Sequence, residues 1–208
     1  MTDRPPGRQT RRRVGPDDGS PSVFVADERG NPEKPAGNHP LVDVQRWSTL
    51  AEAVLVAEGI RGDAELSILF VDEDEIAVLN KRFMDVDGPT DVLSFPIDTD
   101  MAEPGRWPDG GTEGPDRVPA DNDDLPLLLG DVVIAPEVAL RNAPAHAGTL
   151  DDELALLVVH GTLHILGMDH AEPAERDAMQ ARERELLAEH HGPLAADPWA
   201  AVNEEEPS

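Results

Sequence analysis

The stretch LDDELALLVVHGTLHILGMDH, residues 150–170, decides how this chain folds, because it is strongly apolar and still holds three of the seven histidines. At 100° per residue, apolar side chains cover almost the whole circumference of a helix over 150–166, which predicts a central, buried helix. Thr149 and Asp152 form the capping-box pattern that begins such a helix. His160 and His164 are four residues apart and therefore project from one helical face.

The third histidine follows a glycine that can reverse the chain. Gly167 stands where a helix C-terminus favours a positive φ, so His170, three residues later, can return toward His160 and His164. Three imidazoles with one position left for water are the ligand set of a catalytic zinc rather than of a closed structural one. Zinc is the first choice, one ion per chain, although imidazole also suits nickel, copper and iron.

The spacing H-x3-H-x2-G-x2-H is also that of the metzincin peptidases, which carry a glutamate as general base directly after the first histidine. Here that position is Gly161, which cannot accept a proton. A peptidase interpretation therefore has the metal ligands and lacks the base. Asp169, beside the third histidine, is a candidate proton acceptor or a partner of the metal ligands, and equally a turn-capping residue.

The charge and composition exclude several classes of protein. The formal net charge of −26 over 208 residues argues against broad, nonspecific binding of nucleic acid, which requires a basic surface. The absence of cysteine excludes disulfides and thiolate ligands and fits a reducing cytoplasm. There is no apolar run of about 18 residues and no signal-peptide pattern, so no membrane association is expected.

The remaining patterns predict an α+β fold in which a small mixed four-stranded sheet packs against about five helices, with the metal-motif helix buried at its centre. Predicted strands cover 22–28, 65–72, 92–96 and 127–135. Predicted helices cover 47–58, 73–83, a segment beginning at Pro136, 150–166 and 173–190.

Composition divides the chain into one domain and three decorations. Residues 1–20 are rich in Pro, Arg and Gly and are expected to be a disordered basic tail. Residues 21–192 form a single metal-hydrolase-like domain. Within it, residues 98–126 are crowded with Asp, Glu, Pro and Gly and are predicted to be a flexible acidic insertion. Residues 193–208 are assigned to an acidic tail.

Four sequence blocks resemble the YbeY family, bacterial single-strand-specific endoribonucleases that act in rRNA maturation. They are HGTLHILGMDH at 160–170, GPTDVLSFP at 88–96, GDVVIAPEVA at 130–139 and VDEDEIAVLN at 71–80. The blocks occur in the family's order, and the resemblance covers about residues 64–190. It implies a small sheet packed against helices, one zinc held by three histidines, and a substrate cleft beside the metal.

Carried over by position, the resemblance makes His160, His164 and His170 the zinc ligands. Thr90, Asp91 and Ser94 then line the cleft, although the first two suit a turn and Ser94 could simply alternate outward on its strand. Many relatives have a substrate-contacting arginine four residues after the block's asparagine, and here that position is Met84. Arg82, two residues earlier, is retained as a candidate cleft residue.

The resulting hypothesis is a cytoplasmic, zinc-dependent endoribonuclease. It would cut single-stranded rRNA on ribosomal particles, in maturation of the 16S rRNA 3' end and in ribosome quality control. Two alternatives stay open. One is a non-catalytic, zinc-containing ribosome-assembly factor, which Met84 favours, and the other is a metallopeptidase-like hydrolase.

Overall fold

The computed structural model describes residues 20–30, 40–97 and 126–200. The predicted tail over 1–20 and the predicted insertion over 98–126 fall almost entirely outside the described residues, as do residues 201–208. Within the described ranges, no helix is long and apolar enough to cross a membrane.

Four strands and five α-helices form the domain, which confirms the predicted fold class. The strands are β1 (Ser22–Asp27), β2 (Ala64–Phe70), β3 (Val92–Pro96) and β4 (Leu127–Ile134). The helices are α1 (Val44–Ala57), α2 (Glu73–Met84), α3 (Pro136–Asn142), α4 (Leu150–Ile165) and α5 (Pro173–His190). A single 3₁₀ turn (Ala143–Ala145) follows α3.

The sheet is mixed, with spatial order β1-β2-β4-β3. β1, β2 and β4 run parallel, and β3 pairs antiparallel with β4, so that Ser94 lies opposite Val132. α1 connects β1 to its parallel neighbour β2, as a crossover between adjacent parallel strands requires. This order places the short strand β3 at one edge, where it contacts α4.

The main core lies between the sheet and the helices α1, α4 and α5. Alternate residues of β2 point into it, namely Ala64, Leu66, Ile68 and Phe70, all essentially inaccessible to solvent. A smaller apolar cluster on the other side includes Ile76 of α2, Leu93 and Val138. Helix α4 contacts α1, α3, α5 and the strands β3 and β4, so it is covered on several sides, as its apolar circumference predicts.

Local chemistry fixes the start of α4 and the distance of this helix from the sheet. The Thr149 side chain accepts a hydrogen bond from the Asp152 amide at 3.1 Å, which caps the helix as predicted. Near the other end, a Cβ on Gly161 would lie 2.6 Å from Val132 Cγ1 and 3.3 Å from Ser94 Oγ. Gly161 is thus required for packing, because only a residue without a side chain lets α4 approach β3 and β4 this closely.

One boundary predicted from the sequence is wrong. Residues 193–200 are expected in the acidic tail, but they pack against the domain. The Ala196 amide donates to the Ala147 carbonyl at 3.0 Å, and Trp199 is only 9% exposed and belongs to the main core. The composition of the segment is dominated by its acidic neighbours, whereas a single large aromatic ring is enough to anchor it.

Candidate metal centre and the pockets beside it

The end of α4 brings the three histidines of the motif together. Gly167 has φ 89°, and the amide of Met168 donates to the Leu163 carbonyl at 3.0 Å, so the chain turns back sharply. The ring centroids of His160, His164 and His170 then lie 4.5, 4.9 and 5.6 Å apart. One ring nitrogen from each histidine falls within 4.8 Å of the others, which is a spacing that a single metal ion can bridge.

The protonation of His164 suits metal binding. Burial lowers the pKa of the His164 imidazole to about 4, and the adjacent rings of His160 and His170 add to this effect. At neutral pH the ring is therefore uncharged, and one of its nitrogens keeps the free lone pair that a metal ligand needs.

A buried carboxylate orients His160. The Glu183 side chain, on α5, is almost fully buried, and its Oε1 lies 2.7 Å from His160 Nδ1. Because a carboxylate only accepts, Nδ1 carries the proton and Nε2 is left as the acceptor for a metal. The indole Nε1–H of Trp199 donates to Glu183 Oε2 at 2.8 Å, so both oxygens are satisfied.

Sequence reasoning missed Glu183 and Trp199, although α5 carries a signal for the first. Met179, Leu186 and Leu187 form the buried stripe of this helix, and Glu183 falls within the same stripe at helical spacing. A charged residue inside an apolar stripe requires a buried partner. Three imidazoles, a neutral central ring and an orienting carboxylate together fit a divalent metal ion such as zinc.

A cleft of about 530 Å³ opens beside the histidines, and we call it the first pocket. Besides the three histidines, the predicted site residues Thr90, Ser94 and Asp169 line it, together with Met84. No Lys or Arg is among the described residues that line it: Asn80, Met84, Thr90, Val92, Leu93, Ser94, Pro96, His160, His164, Gly167, Met168, Asp169 and His170.

The predicted cleft residues make specific local contacts. Ser94 Oγ donates to the Gly161 carbonyl at 3.3 Å, which joins β3 to α4. Asp169 Oδ1 accepts the His170 amide at 2.7 Å and so shapes the turn that presents this histidine. Asn80, which is buried, donates to the Gly88 carbonyl at 2.9 Å and holds the loop before Thr90. These contacts position the cleft wall and leave the chemical roles of Ser94 and Asp169 as predictions.

A second pocket, of about 280 Å³, lies against the same histidines. His160 and His170 line it, as does Asp91, whose carboxylate accepts a hydrogen bond from Asn142 at 2.9 Å. The predicted cleft residue Arg82 lines neither pocket. Its guanidinium instead lies 5.1 Å from the centroid of the Phe83 ring. The described residues of the second pocket are Asp91, Val92, His146, Leu156, Leu157, His160, His170, Arg176, Met179, Gln180, Glu183, Pro198 and Trp199.

His146, which follows the 3₁₀ turn after α3, also lines the second pocket. Its Nδ1 lies 2.9 Å from the carboxylate of Glu153, which is fully buried and also accepts the Ala147 amide. The hydrogen bond to Glu153 raises the pKa of His146, which favours the charged imidazolium.

A second group of metal-type side chains, Asp151, Asp152 and His191, has a structural explanation. The Asp152 carboxylate binds His191 Nε2 at 2.9 Å and the Ala195 amide at 3.1 Å. These bonds attach the segment after α5 to the start of α4.

The fold and the site together define the class of protein: an α+β domain in which a buried helix presents a three-histidine, metal-type centre to an open cleft. Comparison with known proteins gives the family. The family model described as Endoribonuclease YbeY matches residues 37–191, so the chain belongs to the YbeY family.

Named relatives match most of the chain. A protein of Acidothermus cellulolyticus named Endoribonuclease YbeY is 50% identical over 147 residues, covering 70% of this chain and 82% of its own length. Its namesake from Thermobifida fusca is 42% identical over 168 residues, covering 80% and 92%. A third, from Mycobacterium sp. strain KMS, is 43% identical over 154 residues, covering 73% and 80%.

Proposed function

We propose that this protein is a zinc-dependent endoribonuclease that cuts single-stranded ribosomal RNA. The observation that carries the proposal is the convergence of His160, His164 and His170 at an open cleft, in a chain whose relatives are named endoribonucleases. Maturation of the 16S rRNA 3' end and ribosome quality control are the proposed processes, on ribosomal particles in the cytoplasm.

In this proposal, each residue of the site has a distinct role. His160, His164 and His170 hold one zinc ion, and Glu183 fixes the tautomer of the first. When bound, zinc supplies Lewis acidity toward a phosphoryl oxygen and makes water acidic enough to attack at neutral pH. Asp169 lines the cleft directly beside His170 and is the proposed proton acceptor. Thr90, Ser94 and Asp91 form walls that orient the strand.

A single strand suits the charge of the molecule better than a duplex. A formal charge of −26 argues against a broad basic face that could follow two phosphate backbones. A single strand presents unstacked bases that polar and apolar cleft walls can bind, so fewer phosphate contacts are needed.

The test compares RNA cleavage by the zinc-loaded wild type, the chelator-treated wild type and His164→Ala, using one oligoribonucleotide in single-stranded and duplex form. We expect that only the zinc-loaded wild type cleaves the single strand. Adding zinc back to the chelator-treated wild type should restore its activity. Equal thermal midpoints of the two metal-free proteins serve as the folding control. RNA binding without any cleavage would instead favour the assembly-factor alternative, which the absence of a basic residue at Met84 supports.

The peptidase alternative is tested by adding an unstructured peptide substrate to the same three samples. We expect no cleavage, because Gly161 offers no general base and the space beside it is filled by Val132. Zinc-dependent peptide cleavage without RNA cleavage would reverse the ranking of the two functions.

A further inference from the structure

The metal-type centre has pockets on two sides. His160 and His170 line both the first and the second pocket, so these two histidines stand between the pockets, whereas His164 lines only the first. A strand that places one phosphodiester group at these histidines can therefore extend into either pocket. The first pocket has no Lys or Arg among the described residues that line it, whereas the second contains Arg176.

Arg176 differs from most other basic side chains of the described ranges. Arg29, Arg46, Arg141 and Arg182 each bind at least one carboxylate. Within the described part of the chain, Arg176 has no ion pair, and its Nε is buried without a hydrogen-bond partner. Because no carboxylate of the described residues pairs with Arg176, its charge is available to an anionic ligand in the pocket that it lines.

The chemistry of the pocket identifies that ligand as a phosphate group. A guanidinium presents a planar fork of donors that matches two oxygens of a phosphate, and it keeps its charge at any working pH. His146 and Gln180 supply further donors in the same pocket, and Met179 and Trp199 supply apolar wall. A volume of about 280 Å³ lies just below the range of about 300–1,000 Å³ for pockets that enclose whole small ligands. It suits one phosphate and part of its sugar.

We propose that the second pocket is a subsite for a neighbouring phosphate of the RNA strand, and that Arg176 is the residue that binds it. The inference rests on the proposed function, since it needs an RNA strand at the histidines. It explains how an acidic protein holds a polyanion: a cation without a carboxylate partner is placed beside the reacting group, whereas most of the other described basic side chains pair with carboxylates.

The experiment measures binding of a single-stranded oligoribonucleotide as a function of salt, by fluorescence anisotropy. All proteins carry His164→Ala so that the RNA stays intact. The slope of log K against log salt is negative, and removing one phosphate contact decreases its magnitude by about 0.7 for a single strand. We expect this decrease, with similarly weaker binding for every RNA sequence, on adding Arg176→Gln. Arg176→Lys should keep the slope, because it keeps the charge.

Arg141→Gln is the matched control, since it removes the same charge from an exposed arginine that lines neither pocket and pairs with Glu73. If Arg176→Gln lowers the thermal midpoint, Arg176→Met, which retains the aliphatic stem, replaces it. A slope unchanged by loss of the Arg176 charge, or lowered equally by Arg141→Gln, overturns the subsite. Absence of RNA binding by the His164→Ala parent and by the wild type would instead overturn the proposed function itself.

Discussion

Glu183 is a carboxylate placed in the apolar stripe of a helix, where it contacts two N–H groups from different parts of the chain. His160 approaches from α4 and Trp199 from the segment after α5, at 2.7 and 2.8 Å. The partners matter because an unpaired buried carboxylate would be costly. The same arrangement fixes which nitrogen of His160 faces the metal position.

We predict that Glu183→Gln weakens zinc binding about 10- to 100-fold, the usual effect of losing a residue that orients a metal ligand. The amide keeps the size of the side chain, but its NH₂ group faces one of the two N–H donors. The measurement is competition with a chromophoric chelator at pH 7.5. Glu185→Gln is the control, because that carboxylate is exposed and pairs with Arg182 rather than with a histidine. Wild-type affinity in Glu183→Gln would show that His160 needs no orienting partner.

The sequence predicts the histidine ligands of the metal centre better than it predicts the residues that hydrogen-bond to those histidines. Spacing along one helix and the turn at Gly167 are local features, so the three histidines could be assembled from the sequence. Glu183 lies 23 residues after His160, and Trp199 a further 16. Nothing local in the sequence determines that α5 packs with this face toward α4, so these two contacts required the structure.

Among the described elements, α4 contacts several neighbours, and Gly161 is the residue at which it closely approaches the sheet. The absent side chain allows the helix backbone to reach Val132 and lets its carbonyl accept from Ser94. The two strands concerned, β3 and β4, are therefore part of the support of the metal centre. The packing role of Gly161 was predictable from its phase on the apolar helix, but its partners on β3 and β4 were not.

We predict that Gly161→Ala destabilises the metal-free protein by about 1 kcal/mol. A clash with Val132 should cost about 1–3 kcal/mol, and the better helix propensity of alanine returns up to about 1 kcal/mol. Urea unfolding with chelator present measures the change. The control is a double-mutant cycle with Val132→Ala, which removes the clashing methyl groups, so the pair should lose less stability than the sum of the single changes. Strict additivity would mean that the close approach is relieved elsewhere.

The helix and strand boundaries show where local rules are sufficient. α5 and β3 match their predicted ranges, because Pro173 begins the helix and Pro96 ends the strand. α1 begins three residues earlier than predicted, at Val44, since the Asp43 side chain accepts the Arg46 amide and caps it. Strand order is different: pairing of β2 with β4 joins distant segments, which periodicity alone cannot specify.

For the molecule as a whole, the described segment after α5 connects the two ends of α4. Asp152, at its beginning, binds the Ala195 amide, and Trp199 reaches Glu183 beside the histidines near its end. Acidic composition suggested a tail here, but burial of the Trp199 ring outweighs the local charge. The segment therefore belongs to the domain.

We predict that ending the chain after Gly192 lowers both the free energy of unfolding and the affinity for zinc. Losing a buried tryptophan costs about 3–5 kcal/mol, and Glu183 loses one of its two donors. Thermal unfolding and chelator competition are the measurements. The matched control ends the chain after Ala200 and keeps Trp199, and it should behave like the full chain. Equal behaviour of the two shortened proteins would show that the segment is not needed.

The antiparallel pair β3 and β4 has an unusual connection, because residues 97–126 join strands that are hydrogen-bonded neighbours. The entropy of closing a flexible loop grows only with the logarithm of its length, so 30 residues cost about 1.6 kcal/mol more than a five-residue turn. Doubling or halving the length of this connection would therefore change the cost of closing it by only about 0.6 kcal/mol. We expect a fluorophore or affinity handle inserted within 98–125 to leave the pairing of β3 with β4 intact.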